Sequence, residues 1–89
     1  MNSEVLEIFR NNLLIQLGQA SNMGLTRKTL LLGAKLAGIP ADEDQTRNEV
    51  QYLVDADLIV EVQKTLSPEN ARYRITKAGR DYLATQGLA

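Results

Sequence analysis

The chain has 89 residues, room for one domain and no more. Its apolar content of 44% and charged content of 24% are those of a globular protein, which excludes disorder along its whole length. With no cysteine, no histidine and a net charge of −1, it has no means to form disulfides or thiolate metal sites, lacks the commonest general base, and shows no basic excess that would advertise nucleic acid.

Asn2 or Ser3 is placed to cap a first helix that runs to about Gln19. Leu6, Phe9, Leu13, Leu17 and Ala20 share one face of it, the spacing of an amphipathic helix. Ile8 and Ile15, seven apart, fall on a different face, with Asn12 and Gln16 between the two stripes on one side. A single core needs only the first stripe. The second is an expected contact surface for a homodimer through helix 1. In a single subunit the closing helix would instead fold back and cover it.

Asn22, Met23 and Gly24 read as a turn, and Thr26 as the N-cap of a second helix reaching about Ala37. Its inward residues are Leu30, Leu31 and Ala34, and Gly38, Ile39 and Pro40 end it. Asp42 with Gln45 three residues on is a variant capping box, opening a third helix to about Asp55. Its apolar face is Val50, Leu53 and Val54, with Asp44, Asn48, Gln51 and Asp55 opposite.

From Leu58 the period changes to that of a strand, through Thr65. Ser67 to Asn70 is a turn signal, and Arg72 to Ile75 alternates again, so the two runs predict a β-hairpin. Thr76 then caps a short helix from Lys77 to about Gln86 that buries Tyr82 and Leu83. The expected class is mainly α with a small β-hairpin, in the order helix, helix, helix, strand, strand, helix, as one domain over residues 1–89. No repeat, linker or low-complexity segment interrupts it.

Charge is divided along this order. Residues 1–41 carry four basic groups against two acidic, residues 42–61 seven acidic against Arg47 alone, and residues 62–89 five basic against two acidic. The middle is sharply acidic and the last third basic.

Residues Glu49–Ile59 resemble the end of the third helix, the tight turn and the first wing strand of the winged helix-turn-helix superfamily. Residues Tyr73–Leu83 are similar to its return strand and closing helix. Asp57 stands where that family commonly has glycine, at a turn that wants positive φ, a region Asp tolerates better than most residues. The chain also resembles the small winged-helix proteins of Mu-like prophages.

The resemblance implies a DNA-binding or transcription-regulator-like module acting as a dimer on double-stranded DNA. The third helix would enter the major groove and the wing would touch backbone or minor groove. Arg47, Asn48 and Gln51 on the outward face of that helix have the paired polar groups that match guanine and adenine edges. Arg27 and Lys28 open the second helix, a frequent phosphate-contact position in the superfamily, and Lys64, Arg72 and Arg74 lie on the wing strands. Opposing this, Asp42, Glu43 and Asp44 at the start of the third helix would repel phosphates. A protein-interaction module that does not bind DNA fits the same residues.

No catalytic constellation, phosphate loop, metal site or cofactor site is expected, and no small-molecule substrate. Asp42, Asp44 and Asp55 have nothing apolar around them to form a pocket. The longest apolar runs, such as Leu13–Ile15 and Leu30–Leu32, fall far short of the ~20 residues a membrane span needs. The first residues, Met1 to Glu4, carry no basic n-region, so a cytoplasmic location is expected.

Overall fold

A computed structural model of the chain describes residues 1–63, 67 and 70–88. Four helices and a small three-stranded antiparallel sheet alternate along these residues. The predicted helices and both predicted strands are present among them, the end of the first strand (Lys64 and Thr65) and Pro68 and Glu69 of the predicted turn lying outside the described residues, and one short strand joins that the sequence reading did not include.

Helix α1 spans Ser3–Gln19, with the Asn2 side-chain oxygen accepting from the Val5 amide at 2.8 Å. Phe9, Leu13, Leu14 and Leu17 are fully buried, so the first apolar stripe is the core stripe, widened by Leu14. Ile15 is half-buried against that core, whereas Ile8 is exposed.

Gly24 has φ +73, and a β-carbon there would fall 2.1 Å from the Tyr73 carbonyl oxygen. Only glycine allows this approach, and it lays the next two residues along the hairpin. They form the added strand, β1 (Leu25–Thr26), with Leu25 opposite Tyr73 and Thr26 opposite Arg72. Thr26 also caps helix α2 (Arg27–Leu36), its hydroxyl accepting from the Thr29 amide. Leu30, Leu31 and Ala34 of α2 are buried. Past its end Gly38 takes φ +83, and Ile39 and Ala41 return to the core.

Helix α3 (Glu43–Asp55) opens with the predicted capping box: Gln45 N–H donates to Asp42 at 2.8 Å, and Asp42 N–H donates to the Gln45 side chain at 3.0 Å. Its buried face is Thr46, Glu49, Val50 and Leu53. That is rotated from the expected face, with Val54 only half-buried. The helix ends in a Schellman motif, with Leu58 N–H donating to Leu53 C=O and Asp57 N–H to Val54 C=O, both at 3.0 Å. Asp57 takes φ +61, the left-handed conformation expected at this turn.

Strand β2 (Ile59–Gln63) pairs antiparallel with β3 (Arg72–Ile75), giving the sheet order β1-β3-β2 with an irregularity between Glu61 and Gln63. Asn70 N–H donates to Ser67 C=O at 3.0 Å, consistent with the turn read there. Helix α4 (Lys77–Thr85) is latched to the end of α3. The Thr76 amide donates to Leu58 C=O at 3.0 Å and its hydroxyl to Asp57 C=O at 2.7 Å. Leu83 enters the core and Tyr82 packs at its edge. No helix among the described residues is long and apolar enough to cross a membrane.

Candidate functional site

The starts of α2 and α3 border an open cleft of about 520 Å³, lined by Arg27, Lys28, Leu31, Glu43, Thr46, Arg47 and Asn70. Three of the cations singled out in the sequence are therefore brought together from two helices, with the hairpin loop supplying Asn70. Arg27 follows directly on β1, and the pairing of that strand with β3 fixes where its side chain starts. The Arg27 Nε is buried and has no hydrogen-bond partner. Tyr73, on the central strand, has its phenol pKa pushed up by burial and by Glu61, against the opposing pull of Arg27. Thr46 spends its hydroxyl proton on Asp42 C=O at 2.8 Å.

Arg47 reaches the cleft while bound to Asp44 at 2.6 Å, with both side chains well exposed. Such a surface pair contributes at most about 1 kcal/mol and gives way readily to a stronger anion. Asn48 and Gln51 lie on the exposed face of α3 and do not line the cleft. The Gln51 amide donates to Asp55 at 2.9 Å, and Asn48 makes no side-chain hydrogen bond to another described residue.

On the sheet, the register puts Arg74 opposite Val60 and Arg72 opposite Thr26, so both arginines sit on the face away from Ile59 and Ile75. Arg74 is exposed; Arg72 is half-buried and donates to Gly24 C=O at 3.3 Å. Lys64, assigned to the same strands, lies outside the described residues.

Sequence reasoning missed the contact that holds α3 in place. Glu49 is buried on the core side of α3 and receives an ion-paired hydrogen bond from Arg10 of α1. The Arg10 guanidinium also lies over the Tyr52 ring, 4.1 Å from its centroid. Burial works against its charge, but Glu49, with Tyr52 and Tyr82, more than offsets that and raises its pKa. A signal existed. Glu49 sits beside Val50 and four residues before Leu53, and a carboxylate on an apolar face needs a buried partner.

The Ile8 and Ile15 stripe is divided. Ile15 lines a shallow cleft of about 410 Å³ with Gly18, Gln19, Arg80, Leu83 and Leu88, so the closing helix and its tail meet it from within the same chain. Ile8 stands apart at 57% exposure.

Comparison of the chain with protein-family models, curated proteins and solved structures found no match.

Proposed function

We propose that this chain is a winged helix-turn-helix module that binds double-stranded DNA as a dimer, without catalytic chemistry of its own. The observation that supports it is the cleft at the start of α2. There Arg27, Lys28 and Arg47 converge from separate elements around a solvent-open space large enough for a phosphate group. In this reading Arg27 and Lys28 grip one phosphate row, and Arg72 and Arg74 on the hairpin reach another. Arg47 exchanges Asp44 for phosphate, and Asn48 and Gln51 face base edges. The carboxylates of Asp42, Glu43 and Asp44 disfavour deep insertion of the α3 start, so affinity rests on α2 and the hairpin.

The test is titration with random-sequence duplex at about 50 mM and about 200 mM salt, where the electrostatic part of binding is separable. Arg72→Ala with Arg74→Ala should weaken binding to every sequence and lower the salt slope by roughly one log unit per lost phosphate contact. Absence of binding at the lower salt defeats this reading.

A protein-contact module is the second reading, favoured by one observation. Gln51 is tied to Asp55 and Arg47 to Asp44, so the acidic outward face of α3 is already internally bonded. That face would be its docking surface.

A further inference from the structure

The cleft at the starts of α2 and α3 holds more positive charge than one backbone phosphate needs. Arg27, Lys28 and Arg47 line it against the carboxylate of Glu43, so three cations facing one acid leave a surplus of two among the described residues. Neither Arg27 nor Lys28 is in an ion pair among those residues. Arg27 is half-buried, and its Nε is shut away from solvent with no hydrogen-bond partner. A cation so placed has lost hydration without gaining a counter-charge, which strengthens its pull on an anion in the cleft. Arg47 is paired only with Asp44, which does not line the cleft, and both side chains are exposed, so that pair is readily exchanged.

The size of the space adds to this. Its volume of about 520 Å³ falls in the range of small-molecule sites, roughly 300–1,000 Å³. Three separate elements border it, with Leu31 of α2 supplying an apolar wall and Asn70 of the hairpin loop a polar one. A continuous backbone has to enter and leave such a space, whereas a phosphate at the end of a group enters it once.

We propose that this cleft is a site for a phosphate monoester, the group carried by a free nucleotide or by the 5′ end of a DNA strand. Near neutrality a monoester carries about −1.5 to −2 charges on three terminal oxygens, against a single charge on a backbone diester. The surplus of two matches the monoester. Arg27 and Arg47 bring planar donor forks to those oxygens from two helices, Lys28 adds a point charge, and Leu31 and Asn70 meet the attached sugar or base. This role rests on the same reading of the cleft as a phosphate site, but not on contacts along a duplex.

Amide chemical shifts followed by NMR test it with three probes at about 200 mM salt, where binding along the backbone is weak. The probes are deoxyadenosine monophosphate, a short duplex with 5′-phosphate ends, and the same duplex with 5′-hydroxyl ends. The monophosphate, the phosphate-ended duplex or both should shift Arg27, Lys28, Arg47 and Asn70 and bind at least about tenfold tighter than the hydroxyl-ended duplex. Response to the monophosphate alone assigns the site to free nucleotides, and response to the phosphate-ended duplex alone assigns it to strand ends. Arg47→Gln, a change at an exposed side chain, should weaken this binding about tenfold, and Asp44→Asn should strengthen it by releasing Arg47. Affinity should also fall as pH drops through about 6, where the monoester gives up its second charge. The charged groups facing the ligand are Arg27, Lys28, Arg47 and Glu43, and the chain has no histidine to titrate there. Equal affinity for the two duplexes with no monophosphate binding overturns the site and leaves the DNA reading standing. Binding that ignores pH or survives Arg47→Gln unchanged, or no shift at the cleft with any probe, overturns it as well. Monophosphate binding by a chain that ignores random duplex at about 50 mM salt leaves the site standing and removes the DNA reading.

Discussion

Helices α2 and α3 start side by side at the same cleft, yet they are built in opposite ways. α3 opens on Asp42, Glu43 and Asp44, which satisfy free amides and complement the positive end of the helix dipole. Those carboxylates need no further explanation. α2 is capped by Thr26 alone, has no acid in its first turn, and begins with Arg27 and Lys28. Cations at that position work against the dipole by a few tenths of a kcal/mol each. Residues that oppose local preference are the better pointers to use, because stability does not account for them. Stability thus accounts for the acidic start of α3 and does not account for the basic start of α2.

The largest test of this contrast removes what holds the acidic helix in place. Glu49→Ala leaves Arg10 half-buried without its carboxylate and should lower unfolding free energy by about 3 kcal/mol in urea denaturation. The cation–π contact with Tyr52 limits the loss. A change under about 0.5 kcal/mol would mean that α3 is held by its apolar face alone.

A middle-sized test sets the two starts against each other. Asp42→Ala should cost about 1 kcal/mol through the lost capping box. Arg27→Gln with Lys28→Gln should instead stabilise the fold by a few tenths of a kcal/mol while weakening any phosphate contact. If thermal unfolding shows the second pair destabilising, the contrast fails and those cations are structural too.

The smallest effect is at alkaline pH. Burial, with Glu61 nearby, raises the Tyr73 phenol pKa against the pull of Arg27, so the folded chain holds that proton more tightly than the unfolded chain. Its contribution is fully present below about pH 10 and is lost as pH rises through the raised value. Tyr73→Phe should therefore move the alkaline unfolding midpoint upward, with little change near neutrality. An unchanged midpoint would separate Tyr73 from the electrostatics of the cleft.

Local signals carried most of this architecture. Asp42 and Gln45 three apart, Thr26 before an apolar period, and Asp57 at a left-handed turn each act within a few residues, and each is found as read. The misses depend on residues far apart in the chain. β1 exists because Gly24 lets the backbone reach Tyr73, and two residues are too short a run to show a period. The buried face of α3 turns toward Thr46 and Glu49 because Arg10 waits on α1. Of the candidate site, residue types were legible but their meeting was not. Arg27 and Arg47 share a cleft while Asn48, next to Arg47, does not, a distinction that only the angle between two helices decides.

Thr26 holds two posts, facing Arg72 as the last residue of β1 and capping α2 with its hydroxyl. Arg72 in turn donates to Gly24, a bond between residues 48 apart in the chain. Helix α2 is free to coil as soon as its own residues allow, but its first turn is tethered to a pairing that waits for most of the chain to close. The body of α2 and its basic start therefore belong to different cooperative units, and amide exchange at the start follows the opening of the hairpin rather than the fraying of the helix.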